Sequence, residues 1–79
     1  MIEHRITLRQ RVLKAGTIVF GGGAIDCTVR NLSKAGAALS VQSPVGIPLE
    51  FNLIVAADNL NRGCQVVWRK ENRIGIKFK

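Results

Sequence analysis

Every second residue from Leu49 to Val55 is large and apolar: Leu49, Phe51, Leu53 and Val55 alternate with Glu50, Asn52 and Ile54. The same period returns in Ile25, Cys27 and Val29, in Ala37, Leu39 and Val41, in Cys64, Val66 and Trp68, and in Ile74, Ile76 and Phe78. A period of two puts one face of an extended strand into a core and the other toward water. A longer first strand runs from about residue 11 to 20, with Ile18 and Phe20 pointing inward, which makes six strands.

Turn residues separate these runs. Gly21, Gly22 and Gly23 end the first strand, and residues 43–48, bounded by Ser43 and Pro48, part the third from the fourth. Residues 58–63 close the fourth strand, and Glu71, Asn72 and Arg73 make a tight hairpin before the last. Six short strands with turn signals every ~8–12 residues predict a closed or nearly closed antiparallel barrel. Closure also removes the exposed edges that invite aggregation. Helix is expected to be absent apart from one turn at most in residues 55–58. The fold class is therefore all-β, a small six-stranded barrel.

Length allows one domain, residues 1–79. With 47% apolar residues the chain can build a core. Cys27 and Cys64 stand far apart with no C-x-x-C, and there is one histidine, so neither a structural zinc site nor any other metal is expected. Both cysteines fall on apolar-facing positions and read as reduced thiols packed in a cytoplasmic core. Residues 1–15 mix charged and apolar residues without the continuous hydrophobic run of a signal peptide. No stretch approaches the roughly 20 apolar residues of a membrane span, so membrane insertion is not expected. The net charge of +7, from twelve Lys and Arg against five Asp and Glu, attracts anions: a nucleotide, a nucleic acid or an acidic protein face.

Two motifs narrow that field. Arg5 and Arg9 are four residues apart, and guanidiniums recognise phosphate and the O6/N7 edge of guanine. With seven arginines in the chain, roughly 0.6 such pairs arise by chance, and Arg69 with Arg73 is a decoy of equal spacing expected to be solvated. The second motif is more specific: Asn31, Ser33 and Gly36 at spacing N-x-S-x-x-G, for which chance gives roughly 0.03. R-x-x-x-R before the first strand, [D/N]-x-S-x-x-G between the second and third, and the tail from Val66 to Phe78 together resemble the PilZ domains. The likeness covers nearly the whole chain. PilZ domains are small bacterial β-barrels, many of which bind the second messenger cyclic di-GMP.

The resemblance implies a ligand site at Arg5, Arg9, Asn31, Ser33 and Gly36, with residues 1–10 as a flexible arm that folds over the ligand. Arg5 and Arg9, if extended, lie roughly 13 Å apart on one side of the chain and suit two separate anchor points. Asn31 offers a donor and an acceptor to a base edge, without the charge assistance of the Asp common in the family. Ser33 can donate to phosphate or base. Gly36, lacking Cβ, lets backbone approach the ligand and take φ > 0. Arg11 and Lys14 are candidates for further phosphate contacts, and Arg30 points away from Val29 toward the same region. His4 stands where some relatives carry a third arginine associated with an intercalated ligand pair, so one ligand or two stays open. Trp68 reads as core, sharing a face with Cys64 and Val66, with a stacking role for the indole as the lesser alternative.

No catalytic constellation is present: no Ser/His/Asp set, no paired carboxylates, no Walker-type loop. The leading expectation is a non-enzymatic cyclic di-GMP receptor that relays arm closure to a protein partner. One alternative is a PilZ-like adaptor that binds protein without nucleotide. The other is a basic barrel for single-stranded nucleic acid, which needs exposed aromatic platforms. Phe20, Phe51, Trp68 and Phe78 all fit inward positions, which counts against it.

Overall fold

The computed structural model describes residues 10–79, with side chains from Leu13 onward. The strands are β1 (Gln10–Phe20), β2 (Gly23–Leu32), β3 (Gly36–Ser40), β4 (Glu50–Val55), β5 (Leu60–Lys70) and β6 (Arg73–Phe78). They close into an antiparallel barrel in the order β1-β2-β3-β6-β5-β4. The seam between β1 and β4 is short, with Thr17, Ile18 and Val19 opposite Ile54, Leu53 and Asn52. The all-β barrel expected from the two-residue period is what the chain forms. A single 3-10 turn, Ala56–Asp58, follows β4. Among the described residues no helix is long and apolar enough to cross a membrane.

The core is built from the alternating positions. Ile18, Val29, Leu39, Leu53, Val55, Cys64 and Ile74 are fully buried, and Phe51, Val66 and Ile76 nearly so. Phe20 and Phe78 are half-buried and pack against them. Cys27 and Cys64 are free thiols inside this core. Burial pushes both thiols up to about 11, with Asp26 adding to the effect at Cys27.

Three expectations need correction. Leu49 is exposed, because β4 begins only at Glu50 and Leu49 belongs to the loop before it. The turn expected over residues 58–63 is shorter: Asn59, at φ 52, ends it, and β5 starts at Leu60. Left-handed φ is a conformation asparagine tolerates better than most residues. Trp68 is not core but 46% exposed. Its register explains why: Val66 pairs with Ile76 and Trp68 with Gly75, so Val67 is an extra residue. One inserted residue flips every later side chain to the other face.

The expected arm, with His4, Arg5 and Arg9, lies outside the described residues.

Candidate functional site

A second bulge matches the one at Val67. In the β2–β3 pairing Val29 sits opposite Leu39 and Asn31 opposite Ala38, so Arg30 is extra. Without it Asn31 would share the inward face of Val29. With it Asn31 turns outward, as Trp68 does across the sheet. Bulges commonly re-aim side chains beside functional sites.

The two re-aimed residues lie on one cross-strand row. Arg11 of β1 is in register with Asn31 of β2, Asn31 with Ala38 of β3, Ala38 with Gly75 of β6, and Gly75 with Trp68 of β5. Three strand spacings separate Asn31 from Trp68, roughly 14 Å. Over the row lies a groove of about 340 Å³, the size of a small-molecule site. Its floor is small residues, Gly36, Ala38 and Gly75; Asn31 and Ser33 stand at one side, Val67 and Trp68 at the other.

Gly75 is where the glycine matters. The indole of Trp68 covers it so closely that a β-carbon would overlap ring atoms around Nε1. Gly36 has a different reason. A β-carbon there would collide with the backbone carbonyl of Ile76 on β6. Gly36 does not take the positive φ expected for it; its role in the described residues is to let β3 and β6 approach. Replacing it disturbs that pairing, so it is not a clean probe of binding.

The bend that joins β2 to β3 is stitched internally. The Ser33 N–H donates to the Gly36 carbonyl at 2.9 Å. The Ser33 Oγ accepts from the N–H groups of Ala35 and Gly36, each at 3.2 Å. Its own proton points at the Gly36 carbonyl over a longer 3.3 Å. Phe78 N–H donates to the Ala35 carbonyl at 2.8 Å, fastening the bend to β6. Ser33 therefore shapes the bend first. Its hydroxyl proton, in a long hydrogen bond, is the part a stronger acceptor could take.

Among the described residues the charge in the groove is of one sign: Arg73 and Lys77 line it and no carboxylate does. Lys14, a candidate phosphate contact, points elsewhere, with Nζ 2.7 Å from the Asp58 carboxylate. Lys79 likewise pairs with Glu50 at 2.7 Å. Arg69, expected to be solvated, instead donates to the carbonyls of Pro44 (2.9 Å) and Ile47 (2.6 Å) and clamps the β3–β4 loop. Its supposed twin Arg73 faces the groove, so the pair is split by the turn at Glu71, where φ is 53.

Of the expected site residues, Asn31, Ser33 and Gly36 come together at the groove. Arg11 is in register with Asn31, its side chain outside the described ones. Arg30 is the bulged residue and does not line the groove. Among the lining residues that the sequence reading did not assign to the site, three carry a charge or an aromatic ring: Trp68, Arg73 and Lys77. The last two were legible, since Arg73, Gly75 and Lys77 alternate with inward Ile74 and Ile76. Trp68 was not, because nothing in Val66, Val67 and Trp68 announces a bulge. Among the described residues no group of three His, Cys, Asp or Glu could hold a metal ion.

The PilZ domain family matches residues 3–79, essentially the whole chain. No curated protein matches it.

Proposed function

We propose that this chain, which belongs to the PilZ domain family, binds cyclic di-GMP in its groove under the N-terminal arm. The observation that carries this is the row from Arg11 through Asn31 to Trp68, which sets the start of β1 beside a groove lined, among the described residues, by cations and no acid. Gln10 pairs with Leu32, a groove residue. Arg9 directly precedes Gln10 in the sequence, and Arg5 stands four residues before Arg9.

Each group has a task. Arg5 and Arg9 supply charge-assisted forks to phosphate and guanine. Asn31 donates to and accepts from a guanine edge. Trp68 gives a base a π-face to stack on, a contact worth ~1–3 kcal/mol per base. Ser33 keeps the bend in shape and can turn its proton to phosphate. Ordering the arm changes the surface a protein partner meets, and the ligand shifts that equilibrium only by its preference for the closed arm. The single-stranded nucleic acid reading gains one platform from the outward Trp68, short of the successive platforms such strands use.

Calorimetry with cyclic di-GMP, with GTP and the linear dinucleotide as controls, tests this. The expected dissociation constant is low-micromolar or tighter, about −8 kcal/mol or better. No heat and no competition at ~100 μM ligand, some hundredfold above the low-micromolar range, would reject it.

An adaptor that binds protein without nucleotide is the second reading. Val45 and Leu49, on the loop that Arg69 clamps, are 84% and 63% exposed and offer an apolar contact.

A further inference from the structure

We infer that the β5–β6 hairpin links the groove to the β3–β4 loop, so that whatever moves Trp68 on the groove side changes how firmly Val45 and Leu49 are held on the loop. The link stands on the barrel's own residues. Only the ligand's part in it rests on the cyclic di-GMP reading above.

The loop, residues 41–49, has an inner and an outer side. Val41 and Ile47 are buried, while Val45 and Leu49 are exposed. Its fastenings converge on one segment. The Val41 N–H donates to the Asn72 carbonyl at 2.8 Å, and the Asn72 side-chain amide donates to the Gln42 carbonyl. Arg69 donates to the carbonyls of Pro44 and Ile47. The Val66 N–H donates to the Leu49 carbonyl at 2.8 Å. Among the described residues, every hydrogen bond between the loop and the rest of the barrel thus runs to residues 66–72.

The same segment builds one side of the groove. Val67 and Trp68 line it, with Arg73 and Gly75 across the turn. Trp68 and Arg69 are consecutive and serve the two places. Trp68 pairs with Gly75 and Arg69 with Ile74, and cross-strand partners share a face. Ile74 is buried, so the guanidinium leaves β5 on the core side and the indole leaves it on the groove side. The bulge at Val67 stands just before them, where pairing is interrupted and the strand twists more. A turn of β5 about its axis at that point moves indole and guanidinium together. While the indole is seated on Gly75 the strand is held, and Arg69 keeps both carbonyls. A base stacked on the free face of the indole presses it onto Gly75 and tightens the loop. An indole displaced from Gly75 loosens it.

Amide exchange of the full chain tests the link first without ligand. Gly75→Ala, whose β-carbon meets the indole, and Trp68→Ala, which removes it, should each quicken exchange at Val45, Ile47 and Val66 about fivefold or more, the low end of ordinary coupling between sites. Exchange in β2 and β3 should hold. In return, Arg69→Ala should shift the emission of Trp68, the one tryptophan present, to the red. Asn52→Ala, which cuts the bond to Asn61 near the other end of β5, should do neither. Trp68 is part-exposed, so Trp68→Ala decides if Gly75→Ala fails to fold. Loop exchange at parent rates in Trp68→Ala, a rise shared equally by β2 and β3, or an emission that Arg69→Ala leaves in place overturns the inference. Saturating cyclic di-GMP should slow the loop amides of the parent and not those of Arg69→Ala. If the parent binds it and its loop amides keep their rates, the ligand's part is overturned. If the parent binds none, the groove reading fails, and the link stands or falls by the variants alone.

Discussion

The indole of Trp68 lies over the α-carbon of Gly75, filling the space a β-carbon would need. That contact joins β5 to β6 on the outside of the barrel and forms one side of the groove. It exists because the bulge at Val67 turns Trp68 outward. Glycine and indole are thus complementary: the one leaves the space that the other covers.

Gly75→Ala is expected to push the indole off β6. Trp68 is part-exposed, so it can swing into water, and the overpacking cost should be modest, ~1–2 kcal/mol. The emission of Trp68 should move to the red in the folded protein, and cyclic di-GMP binding should weaken. Unchanged emission would mean that the contact is not held in solution.

Gly36→Ala should be worse. Its β-carbon would meet backbone of β6, not a movable side chain, so β3 and β6 must separate. A loss of ~3 kcal/mol or more is expected, read from the denaturant midpoint. Weak ligand binding by this variant would report a damaged barrel.

Ser33→Ala removes the acceptor for the N–H groups of Ala35 and Gly36. The bend is partly exposed and water can replace the hydroxyl, so a loss of about 1 kcal/mol is expected from chemical denaturation. A denaturant midpoint equal to that of the parent would contradict the stitching role.

Much of this was legible in the sequence, and the misses have two causes. Period two gave the strands, and the spacing of turn residues gave their number. Trp68 failed because alternation holds only while pairing is one-to-one. A bulge changes the count on one strand and leaves no residue signature, as Val66, Val67 and Trp68 illustrate. Asn31 was read as a ligand residue from its motif alone; the bulge at Arg30 is what points it outward. Arg69 was read as solvated because its acceptors, the carbonyls of Pro44 and Ile47, are backbone groups 25 and 22 residues away. Sequence patterns do not show such partners.

Arg69→Ala should release that loop. Two carbonyls would lose the guanidinium, leaving Pro44 only the longer bond from the Ile47 N–H, and amide exchange at Val45 and Ile47 should quicken while exchange in β2 stays slow. Arg69→Lys should restore only part of the protection, since an ammonium lacks the planar fork that reaches both carbonyls.

The thiols give a pH prediction. Burial raises Cys27 and Cys64 from 9.0 to about 11 in the folded protein. Unfolded thiols ionise first as pH rises, while the folded ones keep their protons. Their contribution to stability is whole below about pH 9 and is lost between 9 and 11. A thiol reagent at pH 8 should modify the native protein slowly and the denatured protein at once. Equal rates would contradict the buried placement.

The central claim is that the arm and the groove grip one ligand together, and titration of the full chain with cyclic di-GMP, followed by Trp68 emission, tests it most directly. A saturable change with a low-micromolar midpoint is predicted, weakened at least tenfold by Arg9→Ala and absent with GTP, each tenfold being about 1.4 kcal/mol. An emission that stays flat to ~100 μM, some hundredfold above the low-micromolar range, or a midpoint that Arg9→Ala leaves in place, would contradict it.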